Sequence, residues 1–427
     1  MTDSTRGTSA LAGLDAIMAG LEDLYRDVHA NPELSMQEHR TAARAAERLE
    51  AAGYDVTTGV GGTGVVGLLT NGDGPTVMLR ADMDALPVRE ATGLPYASTA
   101  TATDPDGNEV PVMHACGHDM HVTWLAGVTA LLGGARDAWH GTVLAVFQPA
   151  EETAQGAQAM IDDGLFDRFP KPEVILGQHV MPAPAGMVGY RPGTTQAAAD
   201  SLEIRMFGRG AHGSMPESSV DPVVMAAATV LRLQTIVSRE VAASQAAVVT
   251  IGALQSGTKD NVIPDEALLK VNVRTFDEQV RTRVLDAIKR IVEAEATASG
   301  APRSPEITMT EHYPLTVNDP DRTARVAAAL RRQFGDDRVH ELAAPVSASE
   351  DFGSFGTEWG VPSVFWYVGG TDAELYRRAE QAGRVAQDVP TNHNAKFAPV
   401  MHPTLESGVQ AMTAAALDAF GAAGQRV

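Results

Sequence analysis

Residues 142–179 read TVLAVFQ-PAEETA-QGAQAMIDD-GLFDRFPKP-EVILGQH, in which two apolar runs enclose a segment with helical spacing. The runs Thr142–Gln148 and Glu173–His179 are largely hydrophobic, as strands are when both faces of their sheet are covered. Gln155–Asp163, between them, predicts a helix. Because a crossover helix between two strands forms a parallel unit, this stretch predicts an α/β fold.

The sequence toward the N-terminus continues the alternation of helices and strands. Helical periodicity covers residues 11–52 with a break at residues 31–33, and His121–Leu132 predicts a further helix. Strands are predicted at Gly64–Leu69 and Thr76–Arg80. We therefore predict a doubly wound, mostly parallel sheet that binds its ligands at the carboxyl ends of the strands.

A different pattern begins after residue 192. Two strand–helix–strand halves predict a small α+β sandwich, and a chain of 427 residues is long enough for two domains. We predict one domain from residues 1–192 and 312–427, and a second, inserted domain from residues 193–311. The elements predicted in the insert are the strands Ser201–Phe207, Ala246–Leu254, Glu266–Phe276 and Glu306–His312 and the helices Val223–Ser238 and Glu278–Ser299. The elements predicted after it are Pro320–Phe334 (helix), Ser363–Val368 (strand) and Leu405–Phe420 (helix).

Charge and composition argue against some classes of function. The formal net charge of -21 at pH 7 argues against a nucleic-acid surface, because phosphate binding needs clustered Lys and Arg. The single cysteine, Cys116, cannot form an internal disulfide and favours a reducing compartment. Residues 1–6 show no secretory signal pattern, and no apolar run reaches about 18 residues. We therefore predict a cytoplasmic protein without nucleic-acid or membrane partners.

The densest group of chemically versatile side chains lies in residues 113–121, which read MHACGHDMH. Cys116 and His118 flank Gly117, so a thiolate and an imidazole can reach one cation from a loop. Asp119 is then placed to hold a ring N–H of a ligand histidine. The alternative is a polar loop whose cysteine is only a small core residue. We favour the metal site.

Carboxylates follow two of the predicted strands. Asp82 and Asp84 come at the end of one strand, and Glu151 and Glu152 follow another. Consecutive side chains leaving a strand point in different directions, so one glutamate can bind metal while its neighbour handles protons. Repulsion between the two glutamates raises one pKa toward the range useful for a general base. Solvated turns and ordinary surface pairs are the alternative interpretations.

Two isolated histidines complete the candidate set. His179 ends a predicted strand and His393 lies in a polar loop, and most such histidines are structural. Together with the loop residues they suit two borderline cations, zinc or manganese, with one ligand bridging; cobalt and nickel fit the same groups. The predicted metal ligands are Cys116, His118, Glu152, His179 and His393.

Three polar residues of the insert can contact a substrate. His212 lies in the glycine-rich turn Gly208–Pro216, where glycine allows close approach to a bound group. Asn261 and Arg274 lie in or near strands, and their amide and guanidinium groups can grip a carboxylate or carbonyl. A simple hairpin and structural use of both residues are the alternatives. The acidic turn at residues 349–353 can line the pocket or support it.

The ordered motifs of the chain identify a family resemblance. They are RADMDALP (80–87), HACGHD (114–119), QPAEE (148–152), GRGAHGSMP (208–216), NVIP (261–264) and SEDF (349–352). The chain resembles the aminoacylase and carboxypeptidase G superfamily of metallopeptidases, family M20, over nearly its whole length. Within that family it is most similar to hippurate hydrolases, N-acyl-amino-acid amidohydrolases and plant indole-acetyl-amino-acid hydrolases. One departure is Ala398-Pro399-Val400, where relatives are expected to be acidic.

The resemblance implies a hydrolase with two divalent cations per subunit, held by the five ligands named above. It implies that Glu151 is the catalytic base and that Asp84 orients a metal ligand. It also implies that the inserted domain is a lid that pairs two subunits, so that His212 stabilises the developing oxyanion across a homodimer. Asn261 and Arg274 are implied to assist with substrate.

We therefore predict hydrolysis of small N-acyl amino acids, hippurate-like or with acetyl or aryl-acyl groups, to a carboxylic acid and an amino acid. Glu151 would take a proton from water and deliver it to the leaving amine. One alternative is a dipeptidase or aminopeptidase of the same superfamily, which would need a free N-terminus. Another is a non-catalytic, metal-dependent binding protein, against which Glu151 argues because such a protein has no use for a base.

Overall fold

The computed structural model describes residues 10–421. Residues 1–6, on which the absence of a secretory signal was predicted, lie outside the described residues. The chain divides into two compact units. The first contains the described residues up to Thr195, Val317–Ala344 and the described residues from Asp351 onward, and the second contains Gln196–Thr316 and Pro345–Glu350. The second unit therefore includes two short segments, residues 312–316 and 345–350, that lie beyond residue 311 in the sequence.

The first unit is built on a large mixed sheet. The strands of this unit are β1 (Asp55–Val60), β2 (Gly64–Asn71), β3 (Thr76–Asp82), β4 (Thr101–Thr103), β5 (Glu109–Pro111), β6 (Gly141–Gln148), β7 (Val174–Pro184), β8 (Val188–Tyr190), β17 (Val339–Glu341) and β18 (Ser363–Thr371). Within residues 10–421, eight of them form one sheet in the order β1-β2-β6-β3-β7-β18-β8-β17. The central strands β6, β3, β7 and β18 pair in parallel, and β1 and β2 form an antiparallel edge. The predicted α/β class with a mostly parallel central sheet is confirmed.

The predicted strands of this sheet form with changes in their ends, whereas three strands at or next to its edges were not predicted. β1, with the sequence DVTTGV, is half-exposed and lacks the apolar run that marks a buried strand. β8 and β17 span three residues each, too few for a recognisable pattern. Sequence periodicity therefore identified the covered centre of the sheet and missed its edges.

Helices of the first unit pack closely on one another and on the sheet. They are α1 (Leu14–Ala30), α2 (His39–Ala51), α3 (His118–Gly134), α4 (Gly156–Asp162), α5 (Leu165–Arg168), α8 (Pro320–Phe334), α9 (Gly353–Trp359), α10 (Ala373–Gln381), α11 (Val385–Asp388) and α12 (Met401–Gly421). A Cβ on Gly408 of α12 would lie 2.0 Å from the Trp124 ring of α3, so glycine is needed for this contact. Among residues 10–421, no helix combines the length and the apolar character that crossing a membrane requires.

The central strand β3 is the point at which the chain reverses its direction across the sheet. The chain leaves β3 through α3 to form β6 on one side of it, and then crosses to form β7 on the other side. Asp82 pairs with Gln148 of β6, and Arg80 pairs with Gly177 of β7, so the carboxyl ends of the three strands lie together. Such a reversal leaves a crevice in which open α/β sheets bind ligands.

The second unit is an antiparallel sheet with two helices. Its elements are β10 (Ala198–Phe207), β11 (Ala211–His212), α6 (Pro222–Arg239), β12 (Ala247–Gln255), β13 (Val262–Ile263), β14 (Glu266–Thr275), α7 (Glu278–Ala298) and β15 (Glu306–Tyr313), while β9 (Gly193–Gln196) and β16 (Thr316–Asn318) lie at the ends of the insert. Within the described residues, four strands pair in the order β12-β14-β10-β15. Burial alternates along β14, and its buried side chains share one apolar core with α6 and α7. The helices therefore cover one face of the sheet, in agreement with the predicted α+β sandwich.

Candidate metal centre

Four segments of the first unit place the predicted metal ligands. The Glu151–Thr153 turn follows β6, and His393 lies in the loop before α12. His179, which was predicted to end its strand, lies within β7, because that strand continues to Pro184. Cys116 and His118 flank Gly117, whose φ of 86° begins helix α3 with a sharp turn. A Cβ on Gly117 would lie 2.4 Å from Val180 Cγ1, so only glycine fits this turn.

The structure brings the five predicted ligands together in two overlapping groups. Within each group the ligand atoms all lie within 4.8 Å of one another. The first group is Cys116, His118 and His179, and the second is Cys116, Glu152 and His393. Cys116 is common to both groups, so its sulfur would be a ligand in each of them.

Individual distances within these groups are short enough for a cation to lie between the ligand atoms. Cys116 Sγ lies 3.5 Å from His179 Nε2, and His118 Nε2 lies 3.8 Å from Glu152 Oε1. His393 Nε2 lies 3.4 Å from Glu152 Oε2, although the His393 side chain is 57% exposed. The His393 side of the centre is therefore open to solvent, as a catalytic metal site with an exchangeable position requires.

Two buried ligand atoms lack the partners that burial demands. Within the part of the chain that the structure describes, His118 Nε2 and Glu152 Oε1 make no hydrogen bond. An unsatisfied buried polar atom costs free energy, and a cation between these two atoms would remove that cost. Sulfur, nitrogen and carboxylate oxygen are ligands of zinc and of similar divalent metals, so the donor set fits the predicted ions.

The electrostatics of the centre also favour a cation. Burial by itself lowers the pKa of His118, but the carboxylates of Asp82, Asp84 and Glu152 outweigh it and raise that pKa to about 10. Burial, together with the nearby Glu152 and Glu151, raises the pKa of the Cys116 thiol. His118 and Cys116 thus hold protons that a divalent cation would displace, and metal binding should release protons and strengthen as the pH rises.

Hydrogen bonds fix the ring orientation of two ligand histidines. His118 Nδ1 lies 3.2 Å from Asp84 Oδ1, and His179 Nδ1 lies 2.6 Å from the carbonyl oxygen of Val180. Each ring therefore donates through Nδ1 and keeps Nε2 for a metal. Asp84 has the position that its predicted orienting role requires. Asp119 does not contact a ligand histidine but pairs with His29 at 2.6 Å, so the role considered for Asp119 is wrong.

Replacing Asp84 with Asn is expected to weaken metal binding by about 10- to 100-fold. Asp84 Oδ1 contacts His118 Nδ1, and Asp84 Oδ2 accepts from Glu152 N at 3.0 Å and from Ser35 Oγ at 2.6 Å. In either orientation the Asn amide nitrogen would face an N–H donor. Metal affinity measured by competition with a chelator checks this expectation. Ser35→Ala is the matched control, because it removes one Asp84 contact and spares His118; equal affinity in D84N and wild type would contradict the orienting role.

Glu151 belongs to neither of the two groups of predicted ligands, but it lies close to both. Its Oε2 lies 3.8 Å from His118 Nε2, and the residue is 5% exposed. Glu151, Glu152 and His118 also form a possible ligand group of their own. The two adjacent glutamates thus both reach the centre, and Glu152 is the one grouped with Cys116 and His393.

A buried network of hydrogen bonds lies next to the centre and includes Asp351, from the acidic turn that the sequence analysis expected to line or support the pocket. The Arg80 guanidinium donates to Asp82 Oδ2 at 2.6 Å and to Asp351 Oδ1 at 3.0 Å. Asp82 Oδ1 lies 2.5 Å from His121 Nδ1, and His121 Nε2 accepts from the Val180 N–H at 2.9 Å. The network ties β3 to the strand segment that carries His179. Its one signal in the sequence is the i, i+2 spacing of Arg80 and Asp82, which places both side chains on one face of a strand.

Asn392 is a second residue that the sequence analysis did not single out. Its Nδ2 donates to the carbonyl oxygen of Cys116 at 3.1 Å and to that of Val180 at 3.3 Å. The following residue, His393, donates its N–H to the Ala115 carbonyl at 2.8 Å and has a left-handed φ of 69°. These contacts hold the His393 loop against the segments that carry Cys116 and His179.

In the second unit, the structure brings His212 and Asn261 together. Pairing of β11 with β13 sets His212 opposite Val262, and Gly213 N donates to the Asn261 carbonyl at 2.7 Å. His212 is exposed, and its Nδ1 accepts from Ser214 N at 3.1 Å. In the neutral ring Nε2 therefore carries the proton and can donate it.

Arg274 is placed differently from His212 and Asn261. Its guanidinium donates to the Ser347 carbonyl and to Ser349 Oγ, both at 2.9 Å. These contacts fix residues 345–350 to the second unit, which is the structural use that the sequence left open for Arg274. Its role in substrate binding stays a prediction.

Comparisons with known proteins identify the family of the chain. The model of peptidase family M20/M25/M40 matches residues 78–388. A hippurate hydrolase of Campylobacter jejuni is 39% identical over 338 residues, covering 78% of this chain and 84% of that protein. An N-acetylcysteine deacetylase of Bacillus subtilis is 34% identical over 395 residues, covering 90% and 98%. The structure of a dinuclear metal-binding M20 peptidase of Bacillus subtilis matches with a TM-score of 0.75 and 29% identity, covering 95% of this chain and 99% of that one.

Proposed function

Since the chain belongs to peptidase family M20/M25/M40, we propose that it hydrolyses the amide bond of N-acyl amino acids to a carboxylic acid and an amino acid. The observation that carries this proposal is the pair of buried atoms His118 Nε2 and Glu152 Oε1, which make no hydrogen bond among the described residues and lie beside the carboxylate of Glu151. The two relatives named for hippurate and N-acetylcysteine support the substrate class. Because those acyl groups differ in size, they leave the acyl preference of this chain open.

The proposed cofactor is a pair of divalent cations, zinc or manganese, with cobalt and nickel accepted by the same donors. His118 and His179 would hold one cation and Glu152 and His393 the other, with Cys116 between them. Bound cations of this kind polarise a carbonyl and lower the pKa of water to about 7.

In the proposed reaction, Glu151 handles the protons. Its buried carboxylate takes a proton from the attacking water and gives it to the leaving nitrogen, as general acid–base catalysis requires. The Glu151 Oε2 atom lies 3.8 Å from His118 Nε2, beside the proposed ligands. Glu152, the adjacent residue, points to Cys116 and His393 and serves as a ligand.

Residues of the second unit are proposed to act on the substrate. His212 presents Nε2–H at the surface of that unit and would donate to the developing oxyanion. Asn261 and Arg274 would assist in binding substrate. We also propose a homodimer formed through this unit, which would supply His212 across the interface. The exposed apolar side chains of Val224 (65%), Leu231 (73%) and Val248 (50%) support a protein contact there.

A hydrolysis screen tests the proposed function. The protein, loaded with Mn²⁺ or Zn²⁺, is incubated with acetyl-, benzoyl- and indole-acetyl amino acids and, separately, with dipeptides that have a free N-terminus. We expect release of the amino acid from one or more capped substrates and little from free dipeptides. Cleavage of the dipeptides alone would replace the proposal with a peptidase, and binding without any cleavage would favour a binding protein.

Removal of metal is expected to abolish hydrolysis. Treatment with a chelator should leave less than about 1% of the activity, because both the water and the carbonyl lose the cation that activates them. Readdition of Mn²⁺, Zn²⁺ or Co²⁺ should restore it, more readily at pH 8 than at pH 6, since the ligands must lose protons to bind. Initial rates before and after readdition provide the measurement. Full activity in a preparation free of metal would contradict the dinuclear centre.

A further inference from the structure

The backbone just before the two active-site glutamates adopts a conformation that alanine disfavours. Ala150 has φ 48° and ψ 42°, in the left-handed region. Residues with a Cβ pay a steric cost there, and such a conformation persists only where the surroundings impose it. Ala150 precedes Glu151 directly, so what holds Ala150 also sets the direction in which the Glu151 side chain leaves the chain.

The Ala150 peptide is held on both sides. Its carbonyl oxygen accepts from Gln155 N at 3.2 Å and from Gly156 N at 3.0 Å, which closes the turn locally. Its N–H donates to Glu38 Oε1 at 2.8 Å. The first restraint comes from the turn itself, whereas the second comes from a residue at the start of α2 that is distant in sequence.

Glu38 is unusual for a carboxylate because it is 0% exposed. Its second oxygen accepts from Thr63 Oγ1 at 2.5 Å. Burying a carboxylate costs free energy unless hydrogen bonds compensate, so a fully buried carboxylate suggests a specific role for the group. Neither oxygen contacts a predicted metal ligand, so Glu38 does not belong to the metal centre.

We propose that Glu38 is a positioning residue that holds Ala150 in its left-handed conformation and thereby aims Glu151 at the reacting groups. This inference rests on the proposed function in so far as it needs Glu151 to act as the base. Glu152 has a separate anchor, because its N–H donates to Asp84 Oδ2 at 3.0 Å. Loss of the Glu38 contact should therefore disturb Glu151 more than the metal ligand beside it.

Glu38→Ala and Glu38→Gln test this inference with hippurate and N-acetyl amino acids as probes. We expect E38A to lower kcat by about 100-fold, as a small misplacement of a catalytic group does, with little change in KM. The amide oxygen of E38Q can still accept from Ala150 N–H, so we expect E38Q to lose less than about tenfold. Metal content measured after gel filtration should equal that of the wild type in both variants.

Glu33→Ala is the matched control from the same segment. Glu33 accepts from Arg40 N at 2.9 Å and from Thr41 N at 2.8 Å, so it supports the start of α2 and does not touch the Ala150 turn. E33A should lower the thermal unfolding midpoint while kcat stays within about threefold of the wild type. An equal loss of kcat in E33A and E38A would overturn the inference, because any damage to this segment would then suffice.

Ala150→Gly in the E38A background provides the decisive rescue. Glycine adopts a positive φ without the steric cost. The kcat of E38A/A150G should therefore be at least about tenfold higher than that of E38A. It should also recover part of the lost unfolding midpoint, which is measured without substrate. If the wild type cleaves no probe, the proposed function fails, but the midpoints still decide the inference. The inference would be overturned if the effects of E38A and A150G on the unfolding midpoint were simply additive.

Discussion

Replacing Glu151 with Gln is expected to lower kcat by about 10³-fold or more while the bound metal stays at the wild-type level. Gln has nearly the same shape but cannot take a proton from water or return one to the leaving nitrogen. The Glu151 carboxylate lies 3.8 Å from His118 Nε2, whereas Glu152 is the glutamate grouped with Cys116 and His393. Steady-state kinetics and metal analysis of the same preparation provide the two measurements.

Glu152→Gln is the matched control for this prediction. Glu152 is adjacent in sequence, but its oxygens face His118 and His393, and one of them has no hydrogen-bond partner among the described residues. E152Q should therefore lose metal as well as activity, whereas E151Q should lose activity alone. If E151Q kept its turnover, or lost as much metal as E152Q, the separate roles of the two glutamates would be wrong.

The same comparison separates an enzyme from a binding protein. A protein that only binds N-acyl amino acids through its metals would tolerate E151Q, because binding does not require a proton acceptor. The general base becomes necessary only when an amide bond is broken. Undiminished substrate affinity together with lost turnover in E151Q would therefore exclude the binding-protein alternative directly.

Convergence of the ligands could be predicted because it follows from local patterns and one topological rule. Apolar runs identified β6 and β7, and the residues at their carboxyl ends in a parallel sheet must lie near one another. Glu152 and His179 entered the candidate set in this way, and Cys116 and His118 entered through their spacing around Gly117. The prediction did not require any knowledge of which residues contact one another.

The supporting contacts could not be predicted, because each joins residues distant in sequence. Asp119 illustrates the difficulty: it follows His118 directly, but α3 begins at His118 and successive helical side chains point about 100° apart. The Asp119 carboxylate therefore faces His29 of α1. Burial by itself lowers the pKa of His29, but Asp119 and Glu90 outweigh it and raise that pKa to about 9.

The loop after His393 gives a second example. Its sequence, Ala398-Pro399-Val400, departs from the acidic pattern expected of relatives, but the structure anchors it by other means. The Pro399 carbonyl accepts from the Tyr25 hydroxyl at 3.4 Å, and Val400 N donates to the Gly370 carbonyl at 2.8 Å. Backbone groups supply these contacts, so the loop does not depend on acidic side chains at these positions.

Cys116→Ala is expected to remove both metal sites at once. Among the described residues, Cys116 alone occurs in both groups that contain the five predicted ligands, so neither group stays complete without it. We expect less than one metal ion per chain after gel filtration and a loss of activity of about 10³-fold or more. The residue is buried and small, and alanine leaves only a minor cavity, so the metal-free protein should stay folded.

Thermal unfolding distinguishes loss of metal from loss of fold. A ligand that binds only the folded state raises the unfolding midpoint, so the wild type should unfold at a lower temperature after chelation. C116A should unfold near the temperature of the chelated wild type, with or without added metal. His114→Gln is the matched control: burial lowers the pKa of His114 to about 4, and its ring lies outside the ligand groups, so this change alters neither charge nor ligands. If C116A retained two metal ions and a metal-dependent midpoint, the bridging position of Cys116 would be refuted.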